Sequence, residues 1–170
     1  TSIMSSCPYE RARARVDADW VNKQICSKYY HVLVRQNPAE QREAFEAIIE
    51  GLERFASWCD ENKKSPFYSG EAPGLVDYAL FPWAWRLPVF EHYRGADYAI
   101  PKTAALASYH AWLDAMLARE QVRKTLPDWA AYLEHIGRYA DGSAHSKVAN
   151  AVRSGRAAHE YDDELDDTKK

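Results

Sequence analysis

Residues 74–90 read GLVDYALFPWAWRLPVF, and this stretch decides the fold. Leu75, Val76, Tyr78, Ala79, Leu80, Phe81, Trp83, Ala84, Trp85, Leu87, Val89 and Phe90 leave scarcely a polar face, and a helix apolar all round is a buried one. The segment therefore predicts a central helix over 75–90 around which the rest of the chain packs. Pro82 removes a backbone donor inside it and predicts a kink near Tyr78–Phe81, while Pro88 is expected to loosen its end.

Working outward, Tyr9 to Arg35 contains no Gly or Pro, and steps of four link Ala12, Val16 and Trp20, then Val21, Ile25, Tyr29 and Leu33. That spacing predicts one long amphipathic helix. Asn37, Pro38 and Glu40 make a helix start, with a cap, a proline at the first helical position and an acid three residues after the cap. The helix that follows runs to about Asn62, carries Phe45, Ile48, Ile49, Leu52, Phe55, Ala56 and Cys59 on one stripe, and forms a hairpin with the first. A loop rich in Pro and Gly leads into the central segment.

Beyond it, Thr103 is placed to cap a helix reaching about Arg119, Glu120–Leu126 reads as a short helix or turn, and Asp128 caps a helix from Trp129 to about Tyr139. Residues 143–159 hold a weak helical pattern, and the acidic run from Glu160 to Asp167 predicts a disordered tail. With no strand-length alternation and no repeat, the fold class is all-α. The expected organisation is a linker or vector remnant over 1–7, a helical domain over 8–142 and a C-terminal extension over 143–170.

The 170 residues suit one domain with a sizeable core. Six Trp and eleven Tyr exceed what an ordinary core uses, so the surplus lines a core, a pocket or an interface. A formal charge of -3 gives no reason to expect nucleic acid or an anionic membrane as partner. No apolar run suffices to span a bilayer and no leader pattern opens the chain, so a cytoplasmic protein is expected. Three cysteines argue against a disulfide framework, and the histidines lack any paired-ligand spacing, so no metal site is expected.

Residues 70–87, GEAPGLVDYALFPWAWRL, resemble the central helix in the C-terminal domain of omega-class glutathione transferases and their fungal relatives. PYERARARVDADWVNKQI, from Pro8, looks like that domain's first helix, and Pro101-Lys102 with Trp112, Met116, Val122 and Thr125 looks like its later ones. The resemblance implies a helical bundle. It also implies a parent enzyme in which an upstream thioredoxin-like domain, absent from this chain, binds glutathione as co-substrate, while this domain forms the wall for a small electrophilic or disulfide substrate. Homodimers are common in the family, and thiol transfer is its omega-type reaction. Family members often have Ser or Thr where Gly74 stands, paired with an acid at the position of Asp77, so Asp77 is expected to be a structural helix cap.

Arg86 follows a long apolar run and needs either an ion-pair partner, such as Glu91 or Asp77, or a polar cavity. The resemblance places it beside the substrate pocket. Trp129 matches a tryptophan of the substrate wall, with core packing the equal alternative, and Trp20 and Tyr29 are further substrate-binding candidates. Cys7-Pro8-Tyr9 imitates the reactive motif of omega enzymes and glutaredoxins, but no strand can precede it here, so Cys7 reads as a linker cysteine and no catalytic residue is assigned. A rival reading is a non-catalytic helical module for protein–protein interaction, since fold alone does not fix function.

Overall fold

The structure is a computed structural model that describes residues 3–61, 65–158 and 160. Its helices are α1 (Pro8–Gln24), α2 (Tyr29–Val34), α3 (Pro38–Glu61), α4 (Leu75–Ala84), α5 (Pro88–Arg94), α6 (Ala107–Ala118), α7 (Glu120–Arg123), α8 (Trp129–Ala140) and α9 (Lys147–Arg153). Among the described residues the only β pairing is an isolated bridge between Phe67 and Gly70. The all-α expectation holds.

One core runs through the bundle, and the central segment contributes Val76, Leu80, Phe81, Ala84, Leu87, Val89 and Phe90 to it. α1 lies against α4, α2 against α3, and α3 against α6. Along α3 the apolar stripe buries Phe45, Ile48, Leu52, Phe55, Ala56 and Cys59, so periodicity alone placed that face correctly. Asn37 caps α3, its Oδ1 accepting from Ala39 N–H at 2.9 Å.

Four expectations need correction. The first helix is broken: α1 stops at Gln24, a 3₁₀ turn occupies Cys26–Lys28, and α2 resumes at Tyr29. The break falls where α1 meets α3, with Ile25 against Gly51 so closely that a Cβ there would lie 2.6 Å from Ile25 Cγ1. Tertiary packing has overridden an unbroken helical pattern. Secondly, the stripe assigned to the first half of α1 is open to solvent at Ala12 and Val16, the latter 67% exposed, while Trp20 is partly buried against the core and Val21 is the one buried residue of the helix.

Thirdly, the central segment is two helices. α4 runs through Pro82 and ends at Ala84, the chain tightens into i−3 bonds (Arg86 N–H to Trp83 C=O at 2.9 Å), and Pro88 opens α5 at its first turn. Proline is tolerated there because its missing donor would be unsatisfied anyway. At the C-terminal end, Asp128 Oδ1 caps α8 through Ala131 N–H, as expected. Thr103 precedes a 3₁₀ turn (Ala104–Leu106) instead, without a side-chain cap, and α6 starts at Ala107.

α9 falls within the stretch of weak helical pattern and packs on α2, through Val34, Ala144, Ala149 and Val152. The acidic run predicted to be disordered lies, past Glu160, outside the described residues.

The start of α4 is held unusually well. Asp77 is fully buried, and its carboxylate accepts from the N–H of Gly74 (2.8 Å), Tyr68 (2.9 Å) and Ser69 (3.2 Å) and from the indole of Trp112 (2.9 Å). The carbonyl of Ile3 takes the N–H of Leu75 at 3.0 Å, satisfying another helix-end donor. Gly74 has an unstrained backbone, but a Cβ on it would lie 2.3 Å from Ser69 Oγ and 3.0 Å from the Ile3 carbonyl. The missing hydroxyl cap is thus a matter of space.

Candidate functional site

Three elements converge where α4 ends. The tight turn after Ala84 presents Trp83, Trp85 and Arg86, α8 presents Trp129, Tyr132 and Tyr139 from one face, and α2 supplies Tyr29 and Tyr30. Trp85 meets Trp129 edge-on at 5.1 Å and Tyr132 at 5.2 Å, and Trp129 and Tyr132 are 5.8 Å apart. On the other side, Trp83 meets Tyr29 at 5.5 Å and Tyr30 at 5.9 Å. The Arg86 guanidinium sits between the two groups, 5.1 Å from the Trp83 ring centre and 5.8 Å from that of Tyr132.

Arg94 of α5 holds the surrounding frame. It donates to the Val32 carbonyl at 3.2 Å, to the Leu33 carbonyl and to the Ala140 carbonyl at 2.9 Å, so one cation ties together the C-terminal ends of α2 and α8. Those ends expose unpaired carbonyls and carry partial negative charge, which the guanidinium complements.

Of the sequence candidates, Arg86, Trp129 and Tyr29 lie in this cluster, although Tyr29 is buried behind its surface and its hydroxyl is 2.9 Å from that of Tyr132. Trp20 does not join them. It packs edge-on to Trp58 at 5.0 Å under the Arg54 guanidinium. The ion pairs considered for Arg86 are not made, since the Asp77 carboxylate is engaged elsewhere and no ion pair of Arg86 occurs among the described residues. Cys7 is exposed at the cap position of α1.

Sequence reading missed Tyr132 and Tyr139. The steps of three from Trp129 to Tyr132 and seven to Tyr139 would have put all three on one helical face.

Burial governs the site's ionisation. It raises the Tyr29, Tyr30 and Tyr132 phenols above their ordinary value of 10.0, and in each case Arg86 opposes the rise. It also pushes the Cys26 thiol up to about 12. The site thus offers one fixed cation, neutral hydroxyls and flat indole faces, which suits the binding of a polarised or anionic aromatic molecule.

An open cleft of about 810 Å³ lies elsewhere, between Ile3, Glu10, Arg13, Tyr68, Gly74 and Arg119, and none of the sequence candidates lines it. Among the described residues, no cluster of His, Cys, Asp and Glu could hold a metal ion, and no helix is long and apolar enough to cross a membrane.

This helical architecture is that of a glutathione transferase C-terminal half. Residues 9–135 match the family model described as "Glutathione S-transferase, C-terminal domain", and the chain belongs to that family. It is 30% identical over 138 residues to a probable glutathione S-transferase, parC, of Nicotiana tabacum, covering 79% of this chain and 58% of that relative. To glutathione S-transferase U19 of Arabidopsis thaliana it is 32% identical over 126 residues, covering 74% of this chain and 54% of the relative.

The chain therefore spans little more than half the length of these relatives. Among solved structures, glutathione transferase Omega 3C from Trametes versicolor superposes with a TM-score of 0.67 at 28% identity, covering 85% of this chain and 58% of that one. A Tau class enzyme from mango, Mangifera indica, gives the same TM-score at 23% identity, over 85% of this chain and 63% of its own, a likeness of fold. The expected family stands, while both omega and Tau names appear among its neighbours.

Proposed function

We propose that this chain is the second-substrate half of a glutathione transferase, with Arg86, Trp129 and Tyr29 building the wall against which a small electrophile or disulfide is held. The observation that carries the reading is the Arg86 guanidinium among half-buried aromatic rings, in a chain of the glutathione transferase C-terminal family. Trp20, packed with Trp58, is assigned to the support of α1 rather than to the wall. Glutathione and the attacking thiolate belong to a thioredoxin-like domain of the parent protein.

The bundle domain over 8–142 is then the substrate half, and 143–170 an extension whose helix α9 braces α2. The parent enzyme is cytoplasmic and a homodimer, as is common in the family. An omega-like thiol transfer is proposed over conjugation on the central-helix resemblance of residues 70–87.

The test uses the full-length parent protein. Arg86→Gln and Trp129→Ala are expected to raise KM for the second substrate about tenfold while leaving KM for glutathione unchanged, the pattern of lost ground-state binding. Turnover of hydroxyethyl disulfide above that of a chloronitroarene supports the omega-like reaction, and the reverse order overturns it. Absence of any glutathione-dependent turnover, together with glutathione-independent capture of a protein partner, would establish the interaction-module reading instead.

A further inference from the structure

Tyr93 and Arg94 are the last two residues of α5, and between them they bond to both helices that flank the wall. Arg94 donates through Nε to the Val32 carbonyl at 3.2 Å and through Nη2 to the carbonyls of Leu33 and, at 2.9 Å, Ala140. The Tyr93 hydroxyl donates to the Leu133 carbonyl of α8 at 2.7 Å. Gln36 adds a neutral tie, its Nε2 donating to the carbonyls of Val34 (2.9 Å) and Ala140 (3.4 Å).

Two helix C-terminal ends therefore meet around one guanidinium. Each end carries carbonyls without an intrahelical partner and a partial negative charge, so the ends of α2 and α8 would repel if brought together unaided. The planar fork of an arginine presents several donors at fixed angles, so one residue can grip both helices and set the distance between them. α2 is six residues long, and a helix that short takes its position from tertiary contacts rather than from its own stability.

The gripped carbonyls lie close to wall residues. Val32 is one turn beyond Tyr29, Leu133 follows Tyr132 and Ala140 follows Tyr139. Tyr30 and Tyr139 meet at 5.6 Å and the hydroxyls of Tyr29 and Tyr132 at 2.9 Å, so a change in the separation of α2 and α8 moves rings on both sides of the Arg86 guanidinium. Resting on the proposed function, we infer that Arg94, supported by Tyr93, is a positioning residue for the second substrate, setting the separation of α2 and α8 and with it the fit of the wall, without touching the substrate. Rings held at a fixed separation bind a substrate already oriented for attack, and a small displacement weakens that hold.

Steady-state kinetics of the full-length parent protein separate positioning from plain support. Hydroxyethyl disulfide and a chloronitroarene are each tried as second substrate, and the better of the two is used throughout. Arg94→Met is expected to raise KM for it about tenfold while KM for glutathione stays within about twofold of wild type. Arg94→Lys, which keeps a cation able to meet some of the carbonyls, should bring the raised KM back to within about threefold of wild type. Tyr93→Phe, which removes one hydroxyl, should raise the same KM about two- to threefold.

A substitution that merely lowers the folded fraction reduces apparent kcat and leaves both KM values unchanged, and that pattern in Arg94→Met overturns the inference. Where Arg94→Met misfolds, Tyr93→Phe decides, and an unchanged KM for the second substrate overturns it likewise. Arg86→Gln is measured alongside. If Arg86→Gln raises KM for the second substrate and Arg94→Met does not, the wall stands and the positioning role fails. If neither raises it, or the parent turns over neither substrate, the wall reading fails and takes the inference with it.

Discussion

The indole Nε1 of Trp112 on α6 donates to Oδ1 of Asp77 on α4 at 2.9 Å, across 35 positions of sequence, and both residues are fully buried. The carboxylate that secures the start of the central segment is thus also what fixes α6 against it. Asp77→Ala would strand the Gly74 N–H and the Trp112 indole, and is expected to destabilise the chain by about 3–5 kcal/mol in urea unfolding. Trp112→Phe should cost about 1–3 kcal/mol, and the double variant should fall short of the sum because the two share one bond. Strict additivity would sink the idea that this bond couples the helices.

The Tyr29 and Tyr132 hydroxyls form an asymmetric pair, 2.9 Å apart, with Tyr29 buried and Tyr132 partly exposed. Tyr132→Phe leaves a buried hydroxyl without its partner and should cost about 1–2 kcal/mol. Tyr29→Phe leaves a hydroxyl that water can reach and should cost less. Thermal denaturation of the two variants decides this, and an equal or reversed order would contradict it.

His31 links α2 to the C-terminal segment. Burial first, then the charges of Arg35 and Lys28, lower it from 6.5 to about 4, against a weak upward pull from the Arg156 backbone. The unfolded chain therefore takes up this proton at higher pH than the folded one. Stability from this group is fully present above about 6.5 and is lost as pH falls toward 4. With screening of the partly exposed ring allowed for, the loss should be about 1–2 kcal/mol. Urea midpoints measured from pH 7 to pH 4 should fall less in His31→Gln than in wild type, and parallel curves would refute the assignment.

Of the three cysteines, Cys7 is exposed, while Cys26 and Cys59 are buried with thiols pushed up to about 12. A thiolate-specific disulfide reagent at pH 8 should label one thiol rapidly in the native chain and all three in denaturant, with Cys7→Ser removing the fast phase. Fast labelling of a second thiol in native protein would show that the core opens around α1 or α3.

Much of the helical content was legible because periodicity and capping are local. The stripe of α3, the cap at Asn37 and the cap at Asp128 each depend on residues within one or two turns. The resemblance in residues 70–87 brought the family with it, since that segment joins a buried helix to its own start signal. Where the reading failed, the deciding contact was distant. Ile25 meets Gly51 where the first helix breaks, and the face bearing Val16 remains open to solvent.

Sequence by itself determined that this chain is all-α and built around residues 75–90, because so apolar a segment must leave water, while the glutathione transferase type came from the resemblance carried by residues 70–87. Only the tertiary structure decided that the segment is two helices, that Trp20 and Arg86 belong to different clusters, and that Tyr132 stands beside the guanidinium. An apolar pattern states that a residue must leave water. Which partner it meets depends on distances between helices that are far apart in the chain, and whether a charge such as that of Arg86 finds a counter-ion is known only once every neighbour is in place.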